Sequence, residues 1–245
     1  MFTKNVKPAE HPAAAGPRRR GRPSGRTAQG QAAKQRLYDI AIALIAERGY
    51  ETTTLRDVAD RAGVSVGLMY RYFPSKRMVV MALYDELSAR YASRAAGMKA
   101  GRWRDRFMFA LEASLDVLGP HRRTLAALAP VLVGDASDGL FSRAALVSRQ
   151  RVQHVFQDAV VGASDAPRPP VAAALGKLLY VAHLGIILWW LLDRSPRQRA
   201  TTALLALVRQ MLPAWALTLR LKQVRSFVLA GDRLLQDALL GDGLS

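Results

Sequence analysis

From about residue 31 onward, apolar residues recur three and four positions apart, and no stretch alternates apolar with polar as a half-buried strand would. Leu37, Ile40, Ala41, Leu44 and Ile45 follow the helical spacing and Gly49 ends the run. In "TTLRDVADRAG", Thr54 stands where a helix cap belongs, Asp57 follows three residues later, and Leu55, Val58, Ala59 and Ala62 form one stripe. A short helix over about 66–73 follows a glycine-containing turn. Pro74-Ser75 then resets the chain for a long helix near 76–96, with Val80, Leu83, Leu87 and Tyr91 inward. Further helical runs are expected through Phe107, Ala110, Leu111, Leu115 and Leu118 to Gly119-Pro120, up to about 133, over 140–161, over 171–192 and from 196, where Ser195 caps and Pro196 takes the first helical position. The last segment is expected to break near Pro213 and to end in an amphipathic tail carrying Val224, Val228 and Leu235. The fold class is all-α, with no internal repeat.

Composition narrows the chemistry. The 245 residues hold no cysteine, which excludes disulfides, thiolate metal sites and cysteine nucleophiles. Against 19 acidic residues stand 36 lysines and arginines, a formal charge of +17 that calls for an anionic partner: nucleic acid first, an anionic membrane surface second. An arginine-rich proteome would explain part of this excess but not its clustering in "RRRGRPSGR". Residues 1–30 read as a disordered basic arm without the apolar core of a signal peptide, and the protein is expected in the cytoplasm. No His/Asp/Glu cluster has metal-ligand spacing, and no cofactor is expected.

The stretch "RAGVSVGLMYRYFPSK" (61–76) has two readings. Gly63-Val64-Ser65-Val66-Gly67 spells G-x-S-x-G, the pattern of a hydrolase nucleophile elbow, which needs a buried strand running into the serine. The residues before Gly63 are instead charged and helically periodic. The other reading is a helix-turn-helix over about 54–73, with Ser65 as N-cap of the second helix and Met69 and Phe73 holding that helix to its neighbours. Val66, Gly67, Tyr70 and Arg71 then face outward. Gly67 costs about 1 kcal/mol relative to alanine in a helix, a cost that makes sense if its backbone approaches a phosphate or groove wall.

The segment "LYDIAIALIAERGYETTTLRDVADRAGVSVGLMYRYFPSKRMVVMAL", within about 31–91, resembles the DNA-binding domain of TetR-family transcriptional regulators. The resemblance implies a dimeric regulator, taken as a repressor of a palindromic operator, with an all-helical ligand-binding and dimerisation domain, here 101–222, and a tail over 223–245. It implies backbone contacts from Tyr70, Tyr72 and Lys76, with Thr54 and Ser65 at the helix starts, and an approach to base edges by Val66, Gly67, Leu68 and Arg71. Val66 and Leu68 depart from the polar residues common there, so hydrogen-bonded readout would rest on Arg71, with Val66 or Leu68 against thymine methyls. Arg20 and Arg22 in the arm would enter an adjacent minor groove or serve as solvated charge.

The resemblance also implies a homodimer through the helices near 171–192 and 196–211. The run at 171–192 is long enough to span a bilayer, but Lys177 and His183 lie within it, and a core and interface helix is equally apolar. A small, hydrophobic effector is expected between the helices, with Phe107, Leu111, Tyr180, His183 and Trp189 as candidate lining. Trp103, Phe109 and Trp190 are weaker candidates, and each of these residues reads equally well as plain core. Three classes stand: a ligand-responsive DNA-binding regulator, a membrane-associated basic helical protein and a serine hydrolase.

Overall fold

The computed structural model describes residues 28–134 and 139–240. Among the described residues there is no strand. The chain forms α1 (Ala28–Arg48), α2 (Leu55–Ala62), α3 (Val66–Tyr72), α4 (Lys76–Ala95), α5 (Trp103–Leu118), α6 (Arg122–Gly134), α7 (Leu146–Val161), α8 (Pro169–Leu192), α9 (Arg199–Thr218) and α10 (Lys222–Leu235), with a π-turn over Gln236–Leu240.

Two cores organise these helices. The first joins α1, α2, α3 and the first half of α4, and takes in Leu125, Leu128 and Leu132 of α6 and Trp190 of α8. The second packs Tyr91 and Ala95 of α4 against α5, α7, α8 and Leu212 of α9. Leu87 of α4 belongs to the first core and Tyr91 to the second, so this single helix carries the apolar stripe of both. The Tyr38 hydroxyl donates to Glu86 Oε2 at 2.7 Å, fixing α1 on α4. The α5 start is capped from afar: Asp165 accepts the Trp103 N–H at 2.8 Å. The Arg106 guanidinium braces the end of α7 by donating to the carbonyls of Asp158 and Ala159.

Several boundaries differ from the sequence reading. Helix α1 starts at Ala28, inside the segment read as arm, while residues 1–27, with Arg20 and Arg22, lie outside the described residues. Helix α7 starts at Leu146 rather than near 140, after a 3-10 turn at Arg143–Ala145. Pro213 does not break the chain: α9 runs through it, because the carbonyl that loses its N–H partner lies on a largely exposed helix where solvent can serve it. Pro196 opens only a 3-10 turn, and α9 begins at Arg199. Within that turn Arg197 and Gln198 take left-handed φ values of 54° and 56°. The surrounding bonds hold this costly geometry. Ser195 Oγ accepts from the Ala200 N–H, Asp193 accepts from Ser195 and Thr201, and Gln198 Oε1 accepts the Trp190 indole N–H.

Candidate nucleic-acid interface

The α2–α3 pair is built from local instructions. Thr54 Oγ1 accepts the Asp57 N–H at 3.1 Å, and the Asp57 carboxylate accepts both the N–H and the hydroxyl of Thr54, at 2.8 and 2.7 Å. This reciprocal cap, above all the Thr54 hydroxyl, holds the Asp57 carboxyl below the usual carboxylate range. Gly63 closes α2 at φ 66°, a left-handed position that glycine adopts without steric cost, and the Val64 N–H reaches back to Ala59 O at 3.0 Å. Ser65 then opens α3 by accepting the Leu68 N–H at 3.2 Å. The serine of the G-V-S-V-G stretch is therefore the N-cap between two helices, and the strand that a nucleophile elbow needs is a helix here.

Met69 and Phe73 are buried and fasten α3 to the first core. What remains outside is Gly67, Arg71 and Tyr70, the last 51% exposed. Leu68 is half-buried without joining the core. Arg71 and Tyr70 have no hydrogen bond or ion pair among the described residues, which leaves both free for an outside partner. A Cβ built on Gly67 meets nothing within 4 Å, so no packing in the chain requires glycine there.

Three expectations change. Val66 does not face outward but is half-buried against the first core, and Tyr72 packs there too. Lys76 is not a free surface cation: its Nζ donates to Tyr50 O and lies 4.0 Å from the centroid of the Tyr50 ring, tying the start of α4 to the α1–α2 loop. The sequence reading missed Lys34. This exposed residue on α1 sits 5.7 Å from the Phe73 ring centroid, beside the end of α3. No local signal links position 34 to that helix; only the packing of α1 brings them together.

A second feature lies between α4, α5, α6, α7 and α8: a cavity of about 320 Å³, lined mainly by apolar side chains. Of the residues expected to line it, His183 does so. Phe107, Leu111 and Tyr180 are buried in the second core beside it, and Trp189 is 50% exposed on the opposite side of α8. Trp103 and Trp190 are core residues as well. Leu125 and Leu132 of α6 line the cavity and also belong to the core that holds α1.

The comparisons with known proteins agree with this geometry. The model of the TetR family of bacterial regulatory proteins matches residues 37–83. Over 56 residues the chain is 48% identical to the HTH-type transcriptional repressor KstR of Mycobacterium tuberculosis, a match covering 22% of this chain and 26% of that protein. The chain thus spans only about a quarter of the length of that relative. The HTH-type transcriptional regulator Mb3439c of Mycobacterium bovis is 32% identical over 187 residues, 76% of this chain and 84% of the relative. Among solved structures, a TetR-family regulator from Streptomyces coelicolor superposes with a TM-score of 0.59 at 21% identity, covering 86% of this chain and 94% of that one. One from Nitrosomonas europaea gives 0.54 at 23%, covering 75% and 99%. At these identities the structures speak for the fold, and the Mycobacterium bovis relative, matched over most of both chains, speaks for descent. The chain belongs to the TetR family of bacterial regulatory proteins.

Proposed function

We propose that the protein is a dimeric, sequence-specific DNA-binding repressor whose α3 enters the major groove of a palindromic operator, and that a small molecule in the α4–α8 cavity releases it. The observation that carries this reading is the doubly capped α2–α3 unit, which turns Gly67, Tyr70 and Arg71 outward with no partner for either side chain among the described residues. Arg71 is the candidate for a bidentate contact to guanine, Tyr70 and Lys34 for phosphate oxygens, and Leu68 for a thymine methyl. The Gly67 backbone approaches closely. Lys76 supports this surface by bracing the α1–α2 loop and reaches phosphate only with the protons its carbonyl contact leaves. Arg20 and Arg22 add non-specific affinity from the arm. The names of the KstR relatives, which describe repressors, support repression over activation.

Support for the effector comes from Leu125 and Leu132: a molecule in the cavity would touch side chains that also pack against the DNA-binding core. Support for the dimer comes from α9, which packs one face on the second core and leaves Leu207, Met211 and Trp215 exposed beside it. Helix α8 and the segment Pro196–Thr218 are each long and apolar enough to cross a membrane. Helix α8 lies instead against α7 and α10, and a partner protomer accounts for the apolar face of α9. The test is selection of bound fragments from a random DNA pool. A palindromic motif with half-sites about one turn, ~34–36 Å, apart is expected; recovery of no motif would overturn the reading.

A further inference from the structure

One part of the cavity wall departs from its apolar lining. Tyr91 of α4, Ser114 of α5 and His183 of α8 meet there, from three different helices. Ser114 Oγ and His183 Nε2 are 2.8 Å apart, both residues buried, and the Tyr91 and His183 rings lie nearly parallel with centroids 6.2 Å apart. Within this cluster the Tyr91 hydroxyl and His183 Nδ1 are buried without a hydrogen-bond partner. Buried polar atoms in native proteins are nearly always paired, so two orphans in one cluster at the wall of an apolar cavity mark a place where a ligand completes the bonding. Of the other polar residues in the wall, Tyr84 and Ser88, Ser88 is already engaged, donating to Asp85 O and accepting from Arg151.

No charged side chain lines the cavity. Burial pushes the His183 imidazole down to about 3 and pushes the Tyr91 phenol up, so at neutral pH the cluster holds a neutral ring and a protonated hydroxyl. A carboxylate would leave water here without meeting a positive charge. A ketone or alcohol fits better. The Tyr91 O–H donates to either. His183 Nδ1 accepts a hydrogen bond when Nε2–H points at Ser114 and donates one when the Ser114 hydroxyl points at Nε2. The cavity is about twice the ~150 Å³ of an apolar cavity that admits benzene, room for roughly a dozen heavy atoms.

We infer that the cavity binds an uncharged, largely apolar molecule of about this size, anchored through a single ketone or hydroxyl oxygen by Tyr91 and the Ser114–His183 pair. This rests on the reading of the cavity as the effector site and adds to it the chemical class of the effector.

The test is calorimetric titration of the full-length protein with trans-2-decalone, trans-2-decalol and trans-decalin-2-carboxylate at neutral pH, together with their effect on the selected DNA. The ketone and the alcohol are expected to bind at least about tenfold tighter than the carboxylate. Tyr91→Phe should weaken both by about five- to tenfold, the scale of one hydrogen bond, and leave the melting temperature unchanged, because this hydroxyl bonds nothing in the free protein. Ser114→Ala should weaken them also. His183→Gln provides a further check, and Tyr91→Phe alone decides should that variant not fold. A carboxylate that binds as tightly as the ketone, no binding by either neutral probe at its solubility limit, or titrations indifferent to Tyr91→Phe would overturn the inference. Probes that bind through Tyr91 yet do not release DNA would uphold the ligand class and overturn the effector role.

Discussion

A Cβ placed on Gly176 of α8 would fall 2.8 Å from the Cα of Gln157 on α7. Helices α7 and α8 approach so closely that only hydrogen fits between their backbones, and the neighbour is main chain that cannot swing aside. Gly176→Ala should therefore force the helices apart and destabilise the protein by about 1–3 kcal/mol, the usual cost of overpacking. Urea unfolding measures this. Unchanged stability would mean that the two helices are less tightly seated than described.

Gly67 should behave in the opposite way. A methyl group there meets nothing among the described residues, and alanine favours a helix over glycine by up to about 1 kcal/mol. Gly67→Ala is expected to raise the melting temperature and weaken operator binding together. Tighter or unchanged DNA binding would show that no groove wall or phosphate comes near this backbone.

The contrast between these glycines shows what the sequence could reveal. The caps at Thr54 and Ser65, and the left-handed turn at Gly63, were legible because each role is set within three or four residues of the chain. The stripe of α4 was legible for the same reason. The cavity was not. Helix α8 is apolar nearly all round, so nothing in its pattern says that His183 faces the cavity, that Tyr180 packs in core or that Trp189 faces out. The tie of Lys76 to Tyr50 was not legible either, since it depends on how the α1–α2 loop folds against α4.

Buried His183 should leave a signature in the pH dependence of stability. Folded, it ionises only near pH 3, whereas in the unfolded chain it takes up a proton near its ordinary value of 6.5. Between those values the unfolded state binds a proton that the folded state does not. Its contribution is thus complete above about pH 6.5 and is lost as pH falls, at up to about 1.4 kcal/mol per pH unit. Wild type should lose more stability between pH 6.5 and 4.5 than His183→Gln, with parallel curves above pH 7. Urea midpoints across this range measure it, and parallel curves throughout would mean that His183 is not buried as a neutral ring.

Arg71 and Lys34 should separate base reading from phosphate attraction. Arg71 projects from α3 without a partner among the described residues, so Arg71→Ala is expected to cost about 1–3 kcal/mol on the selected operator and much less on random DNA. Lys34→Ala should weaken both DNAs alike and reduce the slope of log K against log salt by about 0.9. Equal losses on both DNAs for Arg71→Ala would reassign it to phosphate.

The apolar face of α9 leads to the last prediction. Leu207, Met211 and Trp215 are spaced four apart, so they form one stripe along the helix, and they are 51%, 42% and 56% exposed. On the adjoining face Leu204, Leu205, Val208 and Leu212 already pack into the second core, so the helix cannot roll to bury the stripe without exposing them. The proposed second copy of the chain would cover it and set two α3 helices to read one palindrome. Light scattering without DNA should report a dimer. Leu207→Glu with Trp215→Glu places two charges per protomer in that contact and should give a monomer with unchanged helical circular dichroism, because neither residue supports the protomer's own core. Its affinity for the full palindrome should fall toward that for a half-site. A dimer that survives this double substitution would remove α9 from the interface.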